Sequence, residues 1–395
     1  MTATAEAPVT PPPIRDERVG RKSTLARLLA RPEAGAVAGA IVIYVFFFIV
    51  APPFRNASSF ASVLYVTSTY GLMVTPIALL MIGGEFDLSA GVAVTSSALC
   101  ASLFSYEFTT NAWVGVLVAL ALSLLIGFLN GWIVVKTGIP SFLVTLGTFF
   151  VLQGLNIALT QTITNQVASP DISTLQGFSS ARVVFSGSFT VGGVNIRTSV
   201  IYWLVFVAIA TWILLRTRIG NWIFSAGGSP VSARAVGVPV GRVKIGLFMA
   251  VGLMAWFTGM HTLFLFNTIQ TSQGVGNEFV YIIAAVVGGC LLTGGYGSAV
   301  GAAIGALIFG MVNQGIVYAG WNPDWFQTFV GLLLLGAILL NTFIRRRAEA
   351  AAGLLHRTPR PVSTAPRTPP QSARATATAA CRWSGWSTPG NATAR

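Results

Sequence analysis

Residues 112–135 read AWVGVLVALALSLLIGFLNGWIVV, an uncharged run that ends at Lys136. At 1.5 Å per residue a helix of this length crosses the roughly 30 Å hydrocarbon core of a bilayer. Working outward, apolar runs recur at about 34–51, 59–82, 88–104, 141–160, 199–215, 244–266, 279–293, 297–319 and 325–344. The expected fold is an all-α integral membrane protein, a bundle of about ten transmembrane helices. The runs 88–104 and 279–293 are short and adjoin the glycine pairs Gly83–Gly84 and Gly294–Gly295, where broken or re-entrant helices are expected.

Composition points the same way. Of 395 residues 54% are hydrophobic and only 9% charged, against roughly 25% charged in soluble domains. The forty-two glycines suit helices that approach closely in lipid. A formal charge of +13 invites a nucleic-acid reading, but the basic residues sit in the tails and one loop. Cys100 and Cys290 lie in apolar segments and Cys381 in a polar tail, so neither a disulfide framework nor a CxxC metal site is expected. Roughly thirty polar, Pro- and Arg-rich residues precede the first apolar run, unlike a signal peptide.

Residues 1–33 read as a disordered tail with a short amphipathic helix around Ser23–Leu29, residues 34–345 as the membrane domain, and 346–395 as a disordered basic tail. Ten crossings put both termini on one side. Placing that side in the cytoplasm leaves 21 basic residues inside and only Arg55, Arg182 and Arg197 outside, as the positive-inside rule requires. The outer segment 161–198 is polar and Ser/Gly-rich, suited to a small cap. The inner segment 216–243 begins RTRIGNWIFSAGGSPVSARAVGVPVG. There Ser229 suits an N-cap, Pro230 the first helical position, Gly237 the C-cap, and Pro239 stops continuation. Residues Val231–Val236 then form about two turns of helix, too short to stand alone in water. This helix either rests on its own bundle or enters a groove on a cytoplasmic partner.

Polar residues at bilayer depth mark the interior. Asp87 lies beside Glu85 at a junction of apolar runs, where a carboxylate costs ~2.5–3.5 kcal/mol on insertion scales. It either caps the helix that begins near Ser89 or takes part in a solute path or gate. Asn130, Thr145, Thr148, Gln153, Asn156, Asn313 and Gln314 must face protein rather than lipid. They either bond between helices or line a path for a neutral hydroxylated solute. Gly297, Gly301 and Gly305 recur every four residues as a packing stripe, and Gly288–Gly289 with Gly294–Gly295 allow a tight turn. His261 reads as a packing or hydrogen-bonding residue, because a proton relay needs acidic neighbours.

Several separated motifs, in order, resemble the permeases of ATP-binding-cassette (ABC) importers, specifically the ribose/xylose-type sugar branch. They are Gly84-Glu85-Phe86-Asp87-Leu88-Ser89, Asn130-Gly131, Ile139-Pro140-Ser141-Phe142, Thr145-Leu146-Gly147-Thr148, Ala284 to Gly289, Gly294-Gly295-Tyr296-Gly297-Ser298, and Asn313 with Gly315. The inner loop matches through Gly227, Gly228, Ala233, Arg234, Gly237 and Val238, and departs at Pro230, Val231 and Ser232, where the family commonly has acidic and small residues. The resemblance implies that Arg218, Gly220 and Ser229 belong with these in a coupling loop. It also implies two permease copies, cytoplasmic ATPase subunits gripping the loop helix as a coupling helix, and an extracytoplasmic binding protein in a bacterial-type cell membrane. No phosphate-loop ending is present, since the three lysines follow Arg21, Val135 and Val243, so ATP hydrolysis is expected on a separate chain. No catalytic residue, metal or cofactor is expected. The competing expectations are an importer of another small solute, such as branched amino acids, and an ion-coupled secondary transporter.

Overall fold

The computed structural model describes residues 33–336, residue 334 apart. Expectations for residues 1–32, including the helix at Ser23–Leu29, and for the C-terminal tail lie outside the described residues. So does the far end of the last apolar run.

The described chain is helical apart from one hairpin. Helix α1 (Glu33–Val50) leads through a 3-10 turn (Pro52–Arg55) into α2 (Ala57–Ile82), α3 (Ala90–Phe104), α4 (Ala112–Thr137) and α5 (Ser141–Thr164). Within segment 161–198 the chain folds as α6 (Phe178–Ser186) and a hairpin of β1 (Ser188–Val191) and β2 (Val194–Arg197) around Gly192–Gly193. Then come α7 (Thr198–Arg216), α8 (Arg218–Gly228), α9 (Pro230–Ala235), α10 (Val240–Phe266), α11 (Asn277–Val287) and α12 (Ala299–Tyr318). Residues 325–333 are helical again.

Seven of these helices, α1, α2, α4, α5, α7, α10 and α12, are long and apolar enough to cross a membrane. The remaining apolar runs give shorter helices. At 1.5 Å per residue, α11 reaches about 16 Å, short of the hydrocarbon thickness, while α3 reaches about 22 Å and continues into a π-helical turn over Ser105–Thr109. Matching glycine stops end α2 and α11. After α2, Gly83 is still helical, Gly84 takes φ +82°, and the Glu85 N–H returns to the Leu80 carbonyl at 3.1 Å. After α11, Gly288 is helical, Gly289 takes φ +96°, and the Cys290 N–H returns to Ala285 at 3.0 Å. Each is a left-handed glycine ending of the kind that stops helices generally. The second break therefore falls at Gly288–Gly289, earlier than the Gly294–Gly295 pair suggests.

Helix ends elsewhere follow their local chemistry. Asn111 accepts the Trp113 N–H at 2.9 Å to start α4, and Gly138 (φ +71°) ends it. Ser298 accepts the Gly301 N–H at 2.9 Å to start α12. Inside, α10 packs along α4, α3 and α2, while α12 packs along α2, α1 and α11. Lipid tails are as apolar as the side chains, so close backbone approach holds such helices together. A Cβ at Gly252 on α10 would overlap the Ser123 carbonyl of α4, and Gly301 and Gly305 abut the carbonyls of Gly288 and Ala284 on α11. Gly297 precedes α12 instead of lying on its face, and a Cβ there would sit 2.7 Å from the Cys290 sulfur. The packing stripe is thus Gly301 and Gly305, with Gly297 shaping the turn before it.

Candidate functional site

The segment between α2 and α3 is the most polar element within the bundle. Of its five residues Glu85–Ser89 only the ends bond to helix backbone, Glu85 N–H to Leu80 and the Ser89 carbonyl to Ala93, so the polar groups between need other partners. Two N–H groups find them on α5: Phe86 donates to Ser141 Oγ and Leu88 to Thr145 Oγ1, each at 3.0 Å. Asp87, 3% exposed, accepts from the Ser89 N–H at 2.8 Å and the Ser89 hydroxyl at 2.6 Å through Oδ1. It thus anchors the residue at the start of α3. Ser89 Oγ in turn accepts from Asn130 Nδ2 on α4 at 3.0 Å, and Asn130 Oδ1 accepts from Thr148 on α5 at 2.6 Å.

The result is one continuous chain of hydrogen bonds, Asp87–Ser89–Asn130–Thr148. It ends on the wall of a groove of about 610 Å3 between α4 and α5, in which Asn130 and Thr148 are set among Ile126, Ile133, Leu143 and Leu152. An Asn that both donates and accepts here fixes the loop to two helices at once. Replacing Asn130 with Leu removes both bonds, leaving the Ser89 hydroxyl only Asp87 and the Thr148 hydroxyl only the Val144 carbonyl, at a cost of ~0.5–1.5 kcal/mol for each bond lost. The expected outcome is solute uptake at least tenfold below wild type, with correct membrane insertion shown by detergent gel filtration.

Six of the eight residues singled out for the path gather at this loop: Glu85, Asp87, Ser89, Asn130, Thr145 and Thr148. Asn313 and Gln314 do not. They are part-buried in the later half of α12, about 21 Å along the helix from Ala299 by its rise per residue. The fourteen-residue run between Ala299 and Asn313 carries them away from the loop, a distance that sequence order conceals. Two contributors are missing from that group. Ser141 holds the Phe86 N–H. Lys244, in the second turn of α10, forms an ion pair with Glu85, the one ion pair among the described residues. Both side chains are largely buried, 16% and 8% exposed. A lysine at the head of an apolar run, in a chain whose spans offer few carboxylates besides Glu85 and Asp87, is the available signal.

The segment 216–243 is more structured than a loop. Thr217 caps α8, accepting from Gly220 at 3.3 Å, and Gly220 turns tightly on the Ile213 and Leu214 carbonyls. Ser229 accepts from the Ser232 N–H at 3.4 Å to open α9, and Gly237 at φ +86° follows its end. Ala233 is buried, Arg218 and Arg234 are exposed, and Val231 and Val236 are 75% and 80% exposed. Gly227 is buried at the end of α8, where a Cβ would overlap the Ile82 carbonyl and lie 2.7 Å from Gly295 N. Gly228, beside it, is within reach of Gly295.

A bundle of apolar helices, with a polar loop behind an open groove and a structured segment at 216–243, fits a multi-pass membrane transport protein. The family described as "Branched-chain amino acid transport system / permease component" matches residues 59–338, and the chain belongs to it. The chain is 32% identical over 294 residues to the ribose import permease of Escherichia coli K12, covering 73% of this chain and 87% of that protein. It is 29% identical over 304 residues to the galactose/methyl galactoside import permease of Haemophilus influenzae, covering 74% and 88%. It is 27% identical over 297 residues to the fructose import permease of Rhizobium meliloti, covering 75% and 81%. No solved structure matches the chain. It is accordingly an ABC importer permease of the bacterial inner membrane, a transport component rather than an enzyme.

Proposed function

We propose that the chain forms the translocation path for a simple sugar, a pentose or hexose, handed over by an extracytoplasmic binding protein and driven by separate cytoplasmic ATPase subunits. One observation carries the reading: the hydrogen-bonded chain from Asp87 to Thr148 opens on an otherwise apolar groove. A neutral sugar offers hydroxyls that both donate and accept; the part-buried Thr148 hydroxyl can meet them from the groove wall, while the buried Asn130 amide holds it in place. The ribose, galactose and fructose importers among the relatives favour sugar over a branched amino acid. An ion-coupled transporter needs more carboxylates at bilayer depth than the spans provide.

In this reading the chain crosses the membrane ten times. The seven long helices make seven crossings, and α3, the short α11 with the turns at 288–298, and the apolar run from 325 supply three. Both termini are then cytoplasmic, and α9 is a coupling helix seated on an ATPase subunit. Its exposed Val231 and Val236 supply an apolar tip, with Arg234 beside them for an acidic rim. A second permease copy closes the path against α5, whose Phe142, Phe150, Val151 and Leu159 are exposed and whose Gly147 and Gly154 have open space around them.

The test is uptake in proteoliposomes of the complete importer with labelled ribose, galactose, fructose and leucine in parallel. ATP-dependent accumulation of one sugar supports the proposal; accumulation of leucine alone refutes the cargo. A second expected outcome concerns the coupling helix. Arg234→Glu places a charge of the wrong sign at the tip, and Gly237→Val forces a β-branched residue into a left-handed conformation costing ~1–3 kcal/mol. Each is expected to cut uptake at least tenfold while the permease still inserts. Wild-type uptake by both variants would remove α9 from the ATPase contact.

A further inference from the structure

We propose that Lys244 is a positioning residue that, with a three-way glycine contact, ties the inner coupling segment to the Glu85–Ser89 loop of the solute path. This rests on the functional reading above and goes further, by locating where the motion enters the path.

Two helices flank α9, and both hold the same loop. On one side, the last turn of α8 carries Gly227, whose backbone lies directly on the Ile82 carbonyl and against Gly84 and Gly294. The Gly295 N–H donates to the Ile82 carbonyl at 2.9 Å, so the second break, before α12, joins the same contact. A Cβ at Gly294 would stand 2.7 Å from Gly84 Cα, and one at Gly295 would stand 2.8 Å from Gly228 Cα. Three chain segments therefore meet backbone to backbone, with no side chain between them to absorb a displacement. On the other side, α10 begins directly after α9 and carries Lys244 to Glu85, while Leu247 packs over Gly83.

The two attachments differ in kind and act together. The glycine contact is steric and transmits a push. The ion pair transmits a pull, because separating two buried opposite charges exposes each to a medium that solvates it poorly. Glu85 is two residues from Asp87, whose hydrogen bonds continue through Ser89 to Asn130 and Thr148. Movement of α8–α10 consequently reaches the wall of the groove through about five residues. A merely structural ion pair would stabilise the fold without linking the ATP state to the groove, and the experiment separates these roles.

The probe is Gly147→Cys, a position on the groove wall with nothing near its Cα substituent, in a background where Cys100, Cys290 and Cys381 are replaced by Ala or Ser. The complete importer in proteoliposomes is treated with a charged maleimide, without nucleotide and after ATP–vanadate trapping. With Lys244 intact, trapping is expected to change the labelling rate at least fivefold. With Lys244→Gln the change is expected to fall below twofold, at unchanged thermal midpoint of the ATPase-bound complex or after correction for it. The exchanged pair, Glu85→Lys with Lys244→Glu, is expected to recover at least half of the response. An equal response in wild type and Lys244→Gln overturns the proposal, as does an exchanged pair no better than either single variant. Labelling indifferent to ATP even with Lys244 present would overturn the functional reading itself.

Discussion

Gly227→Val is expected to abolish transport and to prevent accumulation of a stable permease. The side chain would have to occupy the space of the Ile82 carbonyl, which already accepts the Gly295 N–H, with Gly295 N itself close by. None of these is a flexible side-chain end, so α8, the end of α2 and the turn before α12 must separate. Overpacking of a well-packed interior costs ~1–3 kcal/mol and more where backbone must move. Here three segments move together. The measurement is yield and thermal midpoint in detergent, and Gly228→Ala is the comparison, since nothing lies within 4 Å of a Cβ at that exposed neighbour. Gly228→Ala is expected to purify normally. Equal behaviour of the two variants would contradict the three-way contact.

Asp87→Ala is expected to cut uptake more than tenfold, while Asp87→Asn keeps most of it. Asp87 Oδ1 is the acceptor for both the N–H and the hydroxyl of Ser89. Alanine removes that acceptor and leaves two buried donors unpaired, at ~1–3 kcal/mol for each. Asparagine retains a carbonyl oxygen at the same place. Asp87 has no cationic partner among the described residues, in contrast to Glu85, which has Lys244. Its contribution is therefore acceptance of hydrogen bonds, and its charge is dispensable for a neutral solute. Equal loss of uptake in both variants would instead assign a role to the charge.

The long spans were legible because a run such as 112–135 admits one reading in terms of hydropathy alone. Helix stops were legible where their chemistry is local: Ser229, Pro230 and Gly237 bound α9 as their types suggest. The α8 helix was not, because Arg218–Gly228 is amphipathic, glycine-rich and follows Arg216 in a basic stretch that reads as loop. Its apolar positions Ile223 and Ala226 are buried only by packing on the rest of the bundle. The hairpin around Gly192–Gly193 is likewise hidden, since its strands are only four residues long, β1 exposed and β2 mostly half-buried.

At the site, Asp87, Asn130 and Thr148 stood out because polar groups at bilayer depth need partners, but their pairing is a property of three helices meeting. Asn313 met the same criterion and lies elsewhere for that reason. Lys244 was counted as one more inner cation under the positive-inside rule, which treats charges as a sum and not as pairs. Its ion pair with Glu85 emerges only when α10 is laid beside the end of α2. Glycine showed the same division: Gly84, Gly227 and Gly294 are far apart in sequence, and their meeting reflects three separate chain reversals.

Energy is expected to reach this permease from a separate ATPase through α9. The most direct measurement places a cysteine at the exposed position Val236 and forms a disulfide to the ATPase subunit in the assembled importer, following sugar uptake before and after reduction. Cross-linking at Val236, with uptake that requires ATP and the ATPase subunits, is the expected result. Sugar accumulation by the purified permease alone under an ion gradient, with no cross-link at Val236, would contradict it.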